Sequence, residues 1–315
     1  MYYRAPYNLH LELTDKCNAR CPMCKRTNPD GLGDSDLVQD LELSLDLIHK
    51  RFADYKFDRV NYCGNLGDPV IARDMLPIAT FMSARSERQI IHTNGSLRNE
   101  SWWQALAAIP NLQVVFGIDG VDQSTHEFYR RGTVYEKILT NARSFIAAGG
   151  NAVWQFIEFE HNQHQVEQAR EMSTYYGFRA FEILQTRRFA FSDTFEYTYR
   201  NVPYILKKPS TSEVHLDFGE LGDIRCAAKR NEEIFISADG QVWPCCYVAG
   251  DNNRIERDPV NYDLWTRELS DIIGEPYFDD VESSFTAAPM LACIGTCGMG
   301  YKNHRQRIIN IKPIV

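Results

Sequence analysis

Polar and apolar positions alternate with two different periods along the first two thirds of the chain. Runs with a period of two predict strands, the first of them between Tyr7 and Thr14. Runs with a period near 3.6 predict helices, the first between Leu43 and Tyr55. The two patterns then follow each other in turn, with short connections, as parallel crossover units require.

Before residue 187 the patterns predict six strands joined by five helices. The predicted strands cover residues 7–14, 59–62, 89–93, 114–119, 152–159 and 180–186. The predicted helices cover residues 43–55, 75–86, 101–108, 135–148 and 166–176. Such an α/β series forms a barrel or an open sheet, and in both arrangements the chemistry belongs at the C-terminal ends of the strands.

The alternation fades after this point. Residues 187–225 are rich in aromatic and charged residues without a clean period, which indicates a segment that wraps the barrel. Residues 233–246, EIFISADGQVWPCC, then predict a β-hairpin that turns at Asp239-Gly240. We therefore predict a first domain at 1–190, a bridging segment at 191–225 and a small second domain at 226–315.

Composition narrows the functional classes. The 34 basic and 42 acidic residues give a formal net charge of −8, which argues against nucleic acid as the main partner. No apolar run approaches the roughly 20 residues of a membrane span, and the first residues do not resemble a signal peptide. Nine cysteines without an export signal predict metal ligands in a reducing, cytoplasmic location rather than disulfides.

Three of these cysteines, Cys17, Cys21 and Cys24, form a C-x3-C-x2-C run directly after the first predicted strand. Thiolates at this spacing can all reach one metal centre. Iron–sulfur clusters are normally held by four cysteines, so three leave one iron of a 4Fe–4S cluster open to another molecule. A zinc site would need a fourth ligand close by, and none is adjacent.

Short polar motifs follow the next strands. The second strand ends in a glycine-rich turn that contains Gly64, Gly67 and Asp68, and the third ends in Thr93-Asn94. The fourth is followed by two charged residues, Asp119 and Arg130, and the fifth carries Gln155. An ordinary turn would explain several of these motifs equally well. Their position at the C-terminal ends of the strands is the reason to consider them as site residues.

Together with the cysteine loop, these motifs resemble the radical S-adenosylmethionine (SAM) superfamily, in which the open iron binds the amino and carboxylate groups of SAM. The resemblance implies a partial (β/α)6 barrel of the TIM type. This chain departs from the family pattern at Gly117, where the family branch has a serine that contacts SAM. The resemblance and the motif positions predict SAM contacts from Met23, Gly64, Gly67, Asp68, Thr93, Asn94, Asp119, Arg130 and Gln155.

A second group of cysteines resembles the SPASM/twitch extensions of radical SAM enzymes. Cys226 and Cys245 flank the predicted hairpin, and Cys293 and Cys297 follow at C-x3-C spacing. The resemblance implies that these four bind one auxiliary 4Fe–4S cluster. The sequence leaves open whether Cys245 or the adjacent Cys246 is the ligand, and a structural zinc site from the same thiolates is the alternative.

The resemblance implies reductive cleavage of SAM to a 5′-deoxyadenosyl radical that abstracts a substrate hydrogen. A peptide or protein is the favoured substrate, because the aromatic bridge and acidic surface would line an open groove. The expected partners are a reductant such as flavodoxin or ferredoxin and, since sixteen residues precede Cys17, a separate peptide-recognition protein. The alternatives are oxidation or epimerisation of a small metabolite such as a sugar or cyclitol, and a non-catalytic electron-transfer protein. The sequence identifies no catalytic acid or base.

Overall fold

A computed structural model of the chain describes residues 7–189, 192–210, 212, 224–250 and 255–298, and the backbone of 307–310. The strands are β1 (Asn8–Leu11), β2 (Phe57–Tyr62), β3 (Ser86–Thr93), β4 (Leu112–Gly117), β5 (Asn151–Glu158), β6 (Ala180–Gln185), β7 (Thr194–Tyr199), β8 (Val202–Lys207), β9 (Glu233–Ile236), β10 (Val242–Trp243) and β11 (Arg307–Asn310). The helices are α1 (Leu45–Phe52), α2 (Met75–Ser83), α3 (Glu100–Ala107), α4 (Gln123–Tyr129), α5 (Tyr135–Ala147), α6 (Val166–Tyr175), α7 (Ala227–Arg230), α8 (Cys246–Ala249), α9 (Leu269–Ile272), α10 (Pro276–Ala287) and α11 (Leu291–Cys297).

Nine strands form one sheet in the order β10-β9-β1-β2-β3-β4-β5-β6-β11. The pairs from β9 through β1 to β6 are all parallel, and β10 and β11 are antiparallel edge strands. The six predicted parallel strands are therefore confirmed, as is the α/β class with a partial (β/α)6 barrel. Parallel strands bring their C-terminal ends to one edge of the sheet, where the cysteine loop also lies.

The outer face of the sheet packs against the helices. On α5, Ile138, Leu139, Ala142 and Phe145 recur at helical spacing, and all four are buried. Burial of a large side chain of this kind contributes about 1.5–3 kcal/mol. The helix ends before Gly149, whose φ of 92° suits glycine, as the sequence pattern predicts.

The inner face of the sheet carries smaller side chains. Val115, Val153 and Ala180 form a separate small buried cluster, with Ile90 packed against it. Each alternates along its strand with a residue of the large outer core, because successive strand residues point to opposite faces. The narrow inner side chains leave room for a cavity at the C-terminal end of the barrel.

Helix α4 and the β7–β8 hairpin were not predicted, and neither were the helices α7 to α11 or strand β11. Helix α4 lies between β4 and α5, where Asp122 caps its first turn by accepting a hydrogen bond from Thr125 N, so the prediction of five helices was one too few. The bridging segment contains the β7–β8 hairpin, which turns at Arg200 and Asn201, both with positive φ. The alternating sequence FEYTY in β7 carried the strand signal, but Arg-Asn is not the usual Asn-Gly turn pair.

The predicted hairpin at 233–246 is confirmed as β9 and β10. Strand β9 pairs in parallel with β1, from Asn8 opposite Glu233 to Leu11 opposite Ile236. The sheet is therefore continuous between the predicted first domain and the predicted second domain. Within the described residues, no helix combines the length and apolar character needed to cross a membrane.

Candidate active site

A cavity of about 250 Å³ opens at the C-terminal ends of the barrel strands. All three cysteines of the cysteine loop (residues 17–24) line it, together with the glycine turn (residues 64–68). Its other walls combine polar and charged side chains with the inner face of the sheet. They are formed by Ala19, Arg26, Cys63, His92, Thr93, Asn94, Val115, Gly117, Arg130, Gln155 and Arg188.

Buried polar contacts hold the cysteine loop. The Asp15 carboxylate accepts hydrogen bonds from the backbone N of Gln39 and of Leu41, both at 2.8 Å. The buried Arg26 guanidinium donates to Cys17 O at 3.1 Å and to the Asp34 carboxylate at 2.8 Å. Charge-assisted hydrogen bonds of this kind are the stronger ones, so the loop is held in one shape.

Two thiols of the loop, those of Cys17 and Cys21, lie in buried surroundings. Burial raises the pKa of Cys17 to about 12 and that of Cys21 to about 11, which favours the protonated thiols when no metal is bound. Ala19 N lies 3.4 Å and Asn94 Nδ2 3.7 Å from Cys17 Sγ, and both can donate to a thiolate. A coordinating cation deprotonates a thiol outright, and hydrogen bonds to sulfur tune a cluster's potential, so this donor set fits an iron–sulfur cluster.

The glycine turn needs its glycines because it passes close to β1 and the cysteine loop. A Cβ at Gly67 would overlap Thr14 O, and one at Gly64 would lie 2.5 Å from Glu12 Oε1. Glu12 in turn accepts a hydrogen bond from Leu66 N at 2.7 Å. Close backbone approach is therefore the physical reason for this glycine-rich segment.

Asp68 links the glycine turn to the end of β3. Its buried carboxylate accepts hydrogen bonds from Thr93 Oγ1 at 2.8 Å, Asn94 N at 2.7 Å and Val70 N at 3.1 Å. Burial raises its pKa. The Asn94 side chain also donates to Asn18 Oδ1 at 3.0 Å, so one network joins the two turns and the cysteine loop.

The Arg130 guanidinium lies in the space that a side chain at position 117 would need. Arg130 Nε donates to Asp119 Oδ2 at 2.6 Å, and a Cβ at Gly117 would lie 2.6 Å from Arg130 Nη2. Asp119 is fully buried and also accepts a hydrogen bond from Ile157 N at 2.7 Å. The departure from serine at position 117 thus makes room for the guanidinium.

The structure brings together most of the predicted SAM contacts. Seven of the nine line the cavity: Gly64, Gly67, Asp68, Thr93, Asn94, Arg130 and Gln155. The other two do not line it, since Asp119 is buried behind Arg130, and Met23 packs in an apolar cluster with Tyr129 and Phe159. Contact of any of these residues with SAM stays a prediction.

Three residues of this region were not singled out from the sequence as site residues. Glu12 supports the glycine turn, and burial raises its pKa to about 7. Arg188 lines the cavity and donates to Tyr129 Oη at 2.5 Å. Cys63, at the end of β2, lies on the cavity wall. A charged residue within the first strand pattern was the available signal for Glu12, whereas Arg188 follows β6 without a motif.

The other cysteine group forms what we call the second cysteine site. One cavity of about 80 Å³ is lined by Cys226, Cys245, Cys246, Cys293 and Cys297. Apolar side chains complete the wall, among them Val248 of α8 and Val281 and Phe285 of α10. In the described residues, no three His, Cys, Asp or Glu side chains converge as ligands of a single metal ion.

The adjacent cysteines of this site have different surroundings. Cys245 precedes α8, and burial raises its pKa to about 11, while the backbone N–H groups of Val248 and Tyr247 favour its thiolate. Cys226 and Cys297 are within hydrogen-bond contact of each other. Cys245 is close enough to interact electrostatically with both of them. The thiol groups that act on Cys246 are those of Cys245 and Cys63, and burial raises its pKa.

Comparison with known proteins agrees with this geometry. Residues 11–158 match the model of the Radical SAM superfamily. Residues 11–158 are therefore similar to a radical SAM domain. The matched range begins in β1 and ends with β5, so it includes the cysteine loop, the glycine turn and the β3 and β4 ends.

Two solved structures share the radical SAM fold. SuiB of Streptococcus suis bound to S-adenosylmethionine matches with a TM-score of 0.64 at 14% identity, over 89% of this chain and 68% of that chain. The protein anSMEcpe with bound AdoMet matches with a TM-score of 0.58 at 13% identity, over 87% of this chain and 82% of that chain. At these identities the likeness shows the fold.

One curated relative is the tungsten-containing aldehyde ferredoxin oxidoreductase cofactor-modifying protein of Pyrococcus furiosus. It is 31% identical over 112 residues, which are 35% of this chain and 30% of that protein. Radical SAM proteins use SAM and a 4Fe–4S cluster, and the thiols of the cysteine loop fit such a cluster. In proteins of that superfamily, a cluster bound by such a loop supplies the electron that cleaves SAM to methionine and a 5′-deoxyadenosyl radical.

Proposed function

We infer that this protein is a radical SAM enzyme with one auxiliary iron–sulfur cluster and that it modifies a peptide or protein. The observation that carries the inference is the pair of cysteine-lined cavities, of which the larger lies among the radical SAM motifs. Strand β9 lies beside β1, so the hairpin that leads to Cys245 is part of the same sheet as the cysteine loop. One protein unit thus presents both sites.

In the larger cavity, Cys17, Cys21 and Cys24 hold the cluster and leave one iron for SAM. The glycine turn, with Asp68, Thr93 and Asn94 behind it, supplies a polar surface for the amino end of SAM. Arg130 and Arg188 place positive charge on the same cavity, which suits the carboxylate of SAM or of a substrate. The protein's part is to orient these groups and to exclude water.

In the second cysteine site, we assign the auxiliary cluster to Cys226, Cys245, Cys293 and Cys297. The N–H groups of Val248 and Tyr247 beside Cys245 favour its thiolate and support Cys245 over Cys246 as the ligand. Four thiolates are also the donor set of a structural zinc site. An iron and zinc count on the purified protein distinguishes the two.

A peptide substrate is supported by the wall beside the cysteine loop. The β7–β8 hairpin pairs with residues 29–31 through Thr198, whose N donates to Pro29 O at 2.9 Å and whose O accepts from Gly31 N at 3.1 Å. Its half-buried aromatic residues, Phe195, Tyr199 and Tyr204, pack in the apolar cluster that also contacts Cys17 and Cys24. These aromatic side chains lie near the cysteine loop but do not line its cavity, so they support a peptide as a neighbouring contact surface.

Two neighbours in fold were crystallised with peptides, SuiB with the precursor peptide SuiA and anSMEcpe with the Cp18Cys peptide. We extend this substrate class to the present protein. Its partners would be a reductant such as flavodoxin or ferredoxin and a separate protein that recognises the peptide. The curated relative is described as a cofactor-modifying protein, which favours a small metabolite or cofactor as the second candidate substrate.

The test is anaerobic turnover with SAM and dithionite. We expect 5′-deoxyadenosine above the no-enzyme background, and more of it when a peptide encoded next to the gene is added, together with a mass change in that peptide. No 5′-deoxyadenosine under any condition would exclude a radical enzyme. A response to metabolite extract but to no peptide would favour the second candidate.

A further inference from the structure

A single residue of the glycine turn connects the two cysteine sites. Asn65 lines the cavity of the cysteine loop, and its side-chain Nδ2 donates a hydrogen bond to Cys246 O at 2.8 Å. Its own carbonyl oxygen lies 3.9 Å from Cys24 Sγ. Cys24 belongs to the first site, and Cys246 directly follows the Cys245 ligand that we assign to the second.

Both ends of this connection depend on metal-binding cysteines. Cys245 is the residue before α8, and Cys246 is the first residue of that four-residue helix. A helix of one turn is not stable alone, so its position depends on tertiary contacts, among which coordination of Cys245 would be the strongest. Loading the second site would therefore hold Cys246 O in place as an acceptor for Asn65.

The turn at the other end is tightly constrained. Leu66 N and Gly67 N donate to Glu12 Oε1 at 2.7 and 3.3 Å, and Asp68 N donates to Lys16 O at 2.8 Å. Asn65 is thus the member of the turn whose side chain is held from the side of α8. A change at Cys246 O reaches the cavity wall through the Asn65 side chain, and Lys25, whose Nζ donates to Gly250 O, is a second contact between the cysteine loop and the end of α8.

We propose that Asn65 couples the two sites, so that metal loading of the second cysteine site holds the glycine turn in its SAM-binding shape and tightens SAM binding. The inference rests on the proposed function, because it requires metal in the second site. Loss of one neutral hydrogen bond corresponds to about a two- to tenfold change in affinity. By linkage, SAM would tighten metal retention in the second site by the same factor.

The test is a double-mutant cycle on four anaerobically reconstituted proteins: the wild type, Asn65→Leu, Cys226→Ala with Cys297→Ala, and all three changes together. Leucine keeps the approximate size of asparagine, adds no charge beside the cluster and removes the donor. SAM dissociation constants from equilibrium dialysis and iron contents are measured for each. We expect two- to tenfold weaker SAM binding in each altered protein and no further weakening when the changes are combined.

The outcomes separate this inference from the one on which it rests. If the iron content does not fall when Cys226 and Cys297 are replaced, the auxiliary cluster itself is wrong, and the coupling is overturned with it. If iron falls by about four per chain but SAM affinity is unchanged, or the two effects multiply, the cluster stands and the coupling is overturned. Cys297→Ser alone is the milder variant should the double replacement not fold, and thermal unfolding of the metal-free Asn65→Leu protein measures its purely structural cost.

Discussion

The two cysteine sites differ in what surrounds their thiols. The first opens into a cavity of about 250 Å³ whose walls include polar and charged side chains, among them the Asp68 carboxylate, which accepts a hydrogen bond from Asn94 N. The second encloses about 80 Å³ between short helices and apolar side chains such as Val281 and Phe285. An open polar site has room for a cofactor and a substrate, whereas a small apolar one suits a centre that exchanges only electrons. Three thiols in one site and four assigned in the other express the same difference.

The largest expected effect tests the open site. Cys21→Ala should abolish 5′-deoxyadenosine formation and lower the iron content by about four per chain, because two thiolates cannot retain a cubane cluster. Anaerobic reconstitution, an iron assay and product quantification measure both. Turnover at the wild-type rate would contradict the assignment of the cysteine loop.

The second prediction uses the adjacent cysteines as a matched pair. Cys245→Ala should lower the iron content by about four per chain, while Cys246→Ala should leave it near the wild-type value of about eight. The reason is that Cys245 groups with Cys226 and Cys297, whereas Cys246 has Cys63 among its neighbours. The reverse result would exchange the two assignments, and equal losses would indicate that both residues are required.

The third prediction concerns the polar surroundings of the first site. Burial raises the pKa of Glu12 from 4.5 to about 7, so the folded protein retains this proton at pH values where the unfolded chain has lost it. The protonated Glu12 carboxyl therefore contributes fully to the free energy of unfolding below about pH 4.5. This contribution, at most about 3 kcal/mol, is lost as the pH rises to about 7.

Glu12→Gln should remove this decline, since the amide oxygen still accepts from Leu66 N and does not titrate. Urea unfolding of the metal-free protein between pH 4.5 and 8 measures the difference. Glu87→Gln, at an exposed position of β3, is the control that should keep the wild-type slope. Parallel curves for wild type and Glu12→Gln would contradict the prediction.

The smallest expected effect tests the fit of Arg130 over Gly117. Gly117→Ala should cost about 1–3 kcal/mol in the free energy of unfolding, because the new Cβ meets Arg130 Nη2 and pushes the guanidinium from Asp119. Gly33→Ala, where a Cβ meets nothing within 4 Å, is the matched control. In an Arg130→Ala background the same change should cost less, and an undiminished cost would place the strain elsewhere.

Local patterns predicted most of the barrel. The alternation of strand and helix periods located β1 to β6 and five of the six helices between them, because each element buries one face and shows its period in the sequence. Helix α4 was missed, since seven residues show less than two turns of pattern. The β7–β8 hairpin was missed because its turn uses Arg200-Asn201 in place of a recognised pair.

The candidate site shows the same division. Spacing and the family resemblance were sufficient to identify the cysteine loop and the glycine turn, since the residues within each motif lie a few positions apart. The pairing of Arg130 with Asp119 and the entry of Arg188 into the cavity join residues from different strand ends. No local pattern contains such contacts, because they depend on the register and curvature of the whole sheet.

The sequence alone determined the alternation of strands and helices in the barrel, the chemistry of the first three cysteines and the presence of another cysteine group far downstream. Folding in three dimensions added the pairing of β9 with β1 and the hydrogen bond from Asn65 to Cys246. Asn65 follows β2 and Cys246 follows β10, so these residues, 181 positions apart, meet because β1 and β9 lie between those two strands in the sheet. Amino-acid type and spacing act locally, whereas the relation between the two sites is a property of the whole sheet.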